Sequence, residues 1–257
     1  MINVKEKLIL ITGATSGIGR ACAEIYAQNG ANIIITGRRN DRLEKIQKEL
    51  EDKYNVKVIP YCFDVRNRKL VAEFGQELKN NNLTPYIFIN NAGLAKGISA
   101  LQDGNIDDWE EMIDTNIKGF LYTARAVLPL MIKKNTGTVI NLGSVAGSQV
   151  YPGGNVYNAT KHAVRALNQA MNMDLLKTNI RISTIEPGAV ETEFSLVRFN
   201  GDKEKADNVY KGFLPLTASD IADIIYFMTT LPEHVNIQNL LVTPTAQRSA
   251  TLFNRNL

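Results

Sequence analysis

Cysteine, histidine and one-sided charge are all scarce in this chain, and each scarcity removes a class of function. The two cysteines, Cys22 and Cys62, lie far apart and outside any C-x-x-C or Cys/His spacing. That argues against a metal cluster and a disulfide framework, and fits buried free thiols in a reducing cytosol. His162 and His234 are too isolated to serve as ligands and read as structural, so no metal is expected. Lys and Arg total 29 against 26 Asp and Glu, with both signs dispersed along the chain. Such a pattern lacks the basic stripe of a nucleic-acid binder and selects no charged partner. No apolar run approaches the ~20 residues of a membrane span. The run Leu8 to Ile11 is too short for a signal-peptide core and has no small-residue cleavage site after it. A soluble cytoplasmic protein with a small-molecule partner is expected.

What is present is a rhythm. Leu8–Thr12, Asn32–Thr36, Val56–Cys62, Tyr86–Asn90, Thr138–Leu142 and Arg181–Glu186 are short runs rich in Ile and Val. They lack polar/apolar alternation, as expected where helices cover both faces of a parallel sheet. Amphipathic helical patterns separate them, at about Gly17–Asn29, Asp41–Asp52, Asn67–Asn80, Asp107–Asn135, Val156–Thr178 and Ala218–Thr230. A seventh strand is placed near Asn239–Val242. This βαβα order predicts an α/β protein with a doubly wound parallel sheet. With no linker, repeat or low-complexity tract, residues 1–257 form one domain. Only Gly188–Leu216 breaks the rhythm. It is too long and polar for an ordinary connection, and such loops commonly act as lids.

The first strand runs into Thr12-Gly13-Ala14-Thr15-Ser16-Gly17-Ile18-Gly19 and then a helix. Glycines at 13, 17 and 19 permit a tight turn and bring N–H groups and the helix N-terminus to a pyrophosphate. Alone such a string is weak, but between the first strand and the first helix it is specific. The second strand ends in Arg38-Arg39, where an acid would hold an adenosine 2′-hydroxyl and arginine accommodates a 2′-phosphate. NADP(H) is therefore expected in preference to NAD(H). Asp64, followed by Val65, ends the third strand, where its carboxylate can accept from an adenine amino group. Asn91-Ala92-Gly93 follows the fourth, small enough for a cofactor to pass.

Tyr157-Asn158-Ala159-Thr160-Lys161 opens the long helix after the fifth strand, with phenol and ammonium on one face. A free phenol titrates near about 10, so serving as a base at neutrality takes ~4 kcal/mol of help. A neighbouring ammonium and an oxidised nicotinamide supply help of that sign. Ser144, at the end of the fifth strand, is placed to donate to a substrate oxygen as charge develops there.

With these residues assembled, the chain resembles the short-chain dehydrogenase/reductase family over essentially its whole length. The matching motifs are Thr12–Gly19, Asn90–Gly93, Asn116, Ser144, Tyr157/Lys161 and Pro187-Gly188. The resemblance implies a Rossmann fold in which Tyr157 is the general acid/base and Ser144 orients substrate. It further implies that Lys161 holds the nicotinamide ribose and lowers the tyrosine pKa, while Asn116 supports a proton relay. Pro187, Gly188, Val190 and Thr192 join the glycine loop as implied cofactor contacts. One departure stands out: many NADP-preferring members carry a basic residue before the second glycine, where this chain has Ser16. Cofactor choice then rests on Arg38 and Arg39.

Further stretches, Asp114–Gly119, Gly153–Tyr157, Glu193–Phe199 and Thr230–Ile237, are similar to the NADP-dependent 3-hydroxy acid dehydrogenases of that family. This group is similar in activity to serine and allo-threonine dehydrogenases and to malonic semialdehyde reductases, and is typically tetrameric. The resemblance implies an oxidoreductase acting on a CH–OH group of short 3-hydroxy acids. Such substrates have little apolar surface, so Arg198, with Gln149 and Tyr151 beside it, is the candidate carboxylate clamp. Two alternatives stay open from sequence: a reductase of 3-oxoacyl thioesters or other carbonyls, and a non-catalytic NADP-sensing regulator. An intact Ser/Tyr/Lys/Asn set speaks against the regulator.

Overall fold

The computed structural model describes residues 2–256. In chain order, the first half contains β1 (Leu8–Ile11), α1 (Gly17–Gln28), β2 (Asn32–Gly37), α2 (Asn40–Tyr54), β3 (Val58–Cys62), α3 (Arg68–Asn80), β4 (Ile87–Asn90), α4 (Ile106–Ile113) and α5 (Phe120–Lys134). The second half contains β5 (Gly137–Leu142), α6 (Asn155–Asp174), β6 (Ile180–Pro187), β7 (Val190–Glu191), α7 (Glu193–Arg198), α8 (Lys203–Asn208), β8 (Leu216–Thr217), α9 (Ala218–Thr230) and β9 (Asn239–Val242). The main sheet has the order β3-β2-β1-β4-β5-β6-β9, and every pairing in it is parallel. Strand pattern and topology together form the expected Rossmann fold.

Alternate residues of the central strands feed two cores, because successive strand side chains point to opposite faces. Ile9, Ile11, Ile33 and Ile35 pack with α1, α2 and α9. Leu10, Ile34 and Phe88 pack with α3, α5 and α6. Each fully buried side chain of this kind contributes about 1.5–3 kcal/mol. Continuous apolar runs therefore become strands buried on both sides. Helix α9 starts where Thr217 and Asp220 close a reciprocal capping box.

β1 pairs with β2 on one side and β4 on the other. The connections reverse direction there, and the carboxyl ends of the two strands part to form a crevice. Thr12 and Asn91 stitch its base together. The amides of Asn91 and Ala92 donate to Thr12 Oγ1 at 3.0 Å, and Asn91 Nδ2 donates to the Thr12 carbonyl at 2.8 Å.

Three expectations are corrected. The single helix over Asp107–Asn135 is broken: a π-helical turn at Asp114–Gly119 separates α4 from α5. Asn116 sits in that turn with its side chain bonded to Leu94, and a Cβ on Gly119 would lie 2.7 Å from Val65 Cγ2. Close packing against the β3 and β4 loops thus accompanies the wider turn, a device common at functional sites. The stretch 188–216 is no plain loop. It holds α7 and α8 and is closed by β7 pairing in parallel with β8. Finally, Cys22 is buried but Cys62 is exposed, since β3 is an edge strand. Among the described residues no helix is long and apolar enough to cross a membrane.

Candidate active site

A cleft of about 690 Å³ opens over the carboxyl ends of β1, β2, β4 and β5. Its floor at one end is the glycine loop. Gly13 has φ +68°, and a Cβ there would come 3.0 Å from Ala92 Cα, so the close approach of the two loops requires glycine. Ser16 N-caps α1 without capping it through its side chain, which leaves the first-turn N–H groups unclaimed by it. Gly17 and Ile18 line the cleft at that helix end. The hydroxyls of Thr36 and Thr115 also line it, and each is buried without a hydrogen-bond partner. An open helix N-terminus, a loop that admits no side chain and orphaned hydroxyls together fit a bound dinucleotide.

The two arginines after β2 separate. Arg39 folds onto the glycine loop, where its Nε and Nη2 donate to Thr15 Oγ1 at 3.1 and 2.7 Å, and Nη2 also donates to Ser16 Oγ at 3.0 Å. Arg38 is half-exposed and lies 3.7 Å from both Asp64 and Glu111. Asp64 is gripped by Arg66, whose Nη2 donates at 2.6 Å and whose backbone N–H donates at 2.9 Å. Desolvation raises its pKa, but the hydrogen bonds from Arg66 outweigh that and hold the carboxyl below its usual range. Asp64, Val65, Asn91, Ala92 and Gly93 all line the cleft, as do Pro187, Gly188, Val190 and Thr192.

At the opposite end Ser144, Tyr157 and Lys161 converge. Tyr157 and Lys161 lie on one face of the start of α6, as their spacing requires, and Ser144 follows β5. Lys161 Nζ donates to the Leu142 carbonyl at 2.8 Å and lies 5.9 Å from the Tyr157 ring centroid. Burial lowers the Lys161 pKa to about 8. Burial pushes the Tyr157 phenol upward, Tyr151 adds to this, and Ser144 and Arg198 oppose it. In the protein without ligand, desolvation outweighs the opposing contacts, and Tyr157 is protonated at neutral pH.

Asn116 stands behind Gly93 and outside the cleft wall. Its Oδ1 accepts from the Leu94 amide at 2.9 Å, and its Nδ2 donates to the Leu94 carbonyl at 2.8 Å and to Thr160 Oγ1 at 3.0 Å. Gly19 likewise faces the loop interior, where a Cβ would lie 2.5 Å from the Gly13 carbonyl. Arg198, at the end of α7, comes over the site. Its Nε donates to the Gly97 carbonyl at 3.2 Å and Nη2 to Tyr151 Oη at 2.5 Å, with its guanidinium 5.4 Å from the Tyr157 ring. Gln149 does not join them. Its Oε1 accepts from the Ala250 amide at 2.7 Å, and it lies outside the cleft lining.

Several residues here were not anticipated. Arg42 donates to Glu193 at 2.7 and 2.9 Å, and its placement three residues after Arg39 on a helix was a usable signal. Gln247, Ala250, Phe253 and Arg255 line the cleft from a C-terminal segment with no motif of its own.

A doubly wound sheet with a glycine loop at its switch point and a buried Ser/Tyr/Lys set defines a nucleotide-dependent oxidoreductase. The chain belongs to the short-chain dehydrogenase family, whose model matches residues 7–201. It is 46% identical over 251 residues to an NADP-dependent 3-hydroxy acid dehydrogenase of Schizosaccharomyces pombe, covering 97% of each chain. It is 44% identical over 241 residues to sulfoacetaldehyde reductase 2 of Chromohalobacter salexigens, covering 93% of this chain and 95% of the other. Its fold matches the closed form of serine dehydrogenase complexed with NADP+, with a TM-score of 0.89, 43% identity and coverage of 95% and 98%.

Proposed function

We propose that this protein is an NADP(H)-dependent dehydrogenase that interconverts short 3-hydroxy acids with their 3-oxo acids or semialdehydes. The observation that carries the substrate class is Arg198, a guanidinium held over Tyr157 by Gly97 and Tyr151. A cation next to the candidate acid/base selects a small substrate with an anionic tail. Relatives named for 3-hydroxy acids and for sulfoacetaldehyde share that feature, a reacting carbon close to a carboxylate or sulfonate.

When bound, the nicotinamide supplies or accepts hydride. The chain's own residues do the rest. Ser144 donates to the substrate oxygen, and protonated Tyr157 delivers the proton in the direction of reduction. In oxidation Tyr157 must first lose its proton, against the cost of its burial. Lys161 holds the nicotinamide ribose, and Asn116 supports the proton path by fixing the loop at Leu94. Arg39, Thr15 and Ser16 form the 2′-phosphate pocket, and Arg38 with Asp64 borders the adenine. Residues 188–216 act as a lid that carries Arg198 and excludes water. Copies of the chain assemble as a tetramer in this reading, and exposed apolar side chains such as Met173 near the end of α6 and Leu176 just beyond it offer surface for association.

A kinetic screen tests this reading. Short 3-hydroxy acids and their semialdehydes, with NADP(H) and NAD(H), are compared with uncharged alcohols, aldehydes and 3-oxoacyl thioesters by nicotinamide absorbance. Turnover of the acids with NADP(H) at the highest kcat/KM is expected. Faster turnover of thioesters would transfer the assignment to that class, and binding without any turnover would make the protein a sensor.

A further inference from the structure

The phosphate end of the cleft already holds an anion that belongs to the chain. Glu193 is the first residue of α7, and its carboxylate accepts from Arg39 Nη1 at 3.0 Å and from Arg42 Nη1 at 2.7 and 2.9 Å. Arg39's Nε and Nη2 donate to Thr15 and Ser16, so each of its three nitrogens is engaged by the protein. Burial works to raise the Glu193 pKa, but hydrogen bonds from Arg42 and Arg39 outweigh it, so the carboxylate is charged throughout the neutral range.

The position of Glu193 gives this pairing a consequence. Helix α7 spans only Glu193–Arg198, and both its ends are tied down. The far end is fixed by the Gly97 amide donating to the Arg198 carbonyl at 2.9 Å, and by the Arg198 bonds to Gly97 and Tyr151. Between the two ties, Phe194 meets the Tyr157 ring with centroids 5.7 Å apart. The near tie is the Glu193 pair with Arg39 and Arg42. A carboxylate and a phosphate carrying up to two negative charges repel when held against one set of guanidinium donors.

We infer that Glu193 is a cofactor-discriminating residue that occupies the 2′-phosphate pocket as an internal stand-in. A 2′-phosphate displaces its carboxylate from Arg39 and Arg42, and that exchange frees the near end of α7. A dinucleotide with a 2′-hydroxyl leaves the tie intact. The protein thereby reads the phosphate twice, through the arginines directly and through the release of a helix that covers the reacting end. Arg42, half-buried at the start of α2, changes partner from Glu193 to the phosphate. This rests on the reading of Arg39 as a 2′-phosphate ligand.

The experiment is calorimetric titration of the full chain with 2′,5′-ADP and with 5′-AMP, neither of which reaches the catalytic end. Glu193→Gln keeps the shape and removes the competing charge, so 2′,5′-ADP is expected to bind about tenfold more tightly while 5′-AMP changes less than about twofold. Arg42→Gln should weaken 2′,5′-ADP by about tenfold. Hydrogen exchange across residues 192–198 should quicken in wild type on adding 2′,5′-ADP and stay unchanged with 5′-AMP. Should Glu193→Gln fail to fold, Glu193→Asp withdraws the carboxylate and is expected to show a smaller tightening. Equal or weaker binding of 2′,5′-ADP by the folded Glu193 variants would overturn the inference and make Glu193 a brace for the arginines. A wild type that does not prefer 2′,5′-ADP over 5′-AMP would instead overturn the phosphate pocket itself, and the role of Glu193 with it.

Discussion

The floor and the cover of the cleft are built by opposite means. The floor consists of loops directly after β1, β2, β4 and β5 and the start of α6, joined by bonds such as Asn91 Nδ2 to the Thr12 carbonyl. The cover consists of residues 188–216 and a C-terminal segment, joined to the rest largely by side chains. Arg198 reaches Gly97, Glu193 reaches Arg39 and Arg42, and Gln247 Oε1 accepts from the Ala189 amide at 2.8 Å. A floor of packed strands holds reacting groups in place, whereas a cover hung on a few polar ties can be exchanged when a ligand offers better partners. Chemistry should therefore be lost through the floor, and selectivity through the cover and the pocket rim.

Tyr157→Phe should break the floor's chemistry most severely. It removes only the hydroxyl, so kcat is expected to fall by about 10²–10⁴-fold with NADPH binding close to wild type. Retention of more than a few per cent of kcat would remove Tyr157 from the acid/base role. The rim comes next. Arg39→Leu should weaken NADPH by roughly ten- to a hundredfold and leave NADH nearly unchanged, since a charge-assisted contact is worth about 1.5–3 kcal/mol. Arg38→Leu should cost less, because its guanidinium lies toward Asp64 and Glu111. Equal losses for both cofactors at Arg39 would contradict the division.

Lys161 provides a smaller, pH-linked effect. Its folded pKa of about 8 lies below the value of about 10.4 for a free lysine. Below pH 8 the group is charged in both states and carries a constant burial cost. From about 8 to 10.4 the unfolded chain binds the extra proton, so stability rises with pH across that window. The Tm of the cofactor-free wild type should therefore gain a few degrees on Lys161→Met between pH 7.5 and 10. A difference independent of pH would mean that Lys161 is not desolvated. Smallest of all, Gln149→Ala should change KM for 3-hydroxy acids by less than about twofold, and a large KM effect would return Gln149 to the substrate.

The same contrast decides what could be read from sequence. Floor residues follow local rules: a strand that ends in a glycine turn, a Tyr and Lys one helical turn apart, arginines at the end of β2. Even β9 was visible as Asn239–Val242. The π-helical turn at Asn116 was not, because apolar periodicity runs through Asp107–Asn135 without a break and the close approach of Gly119 to Val65 that accompanies the turn is a long-range contact. Nor was the C-terminal lining, since Gln247 and Ala250 reach the cleft through partners at Ala189 and Gln149, about sixty and a hundred positions earlier in the chain. Gln149 shows the same limit: proximity to Ser144 in sequence does not reveal the tail that takes its side chain.

Substrate selection in the proposed function rests on an anion being read by Arg198 beside Tyr157. Its most direct test is kcat/KM for malonic semialdehyde and for propanal, with NADPH, in wild type and Arg198→Met. Loss of one charge-assisted pair should lower kcat/KM for the acid about tenfold or more, mostly through KM, and change propanal by less than about threefold. An equal fall for both substrates would contradict that role, leaving Arg198 as a tie that holds α7 and the anion unread.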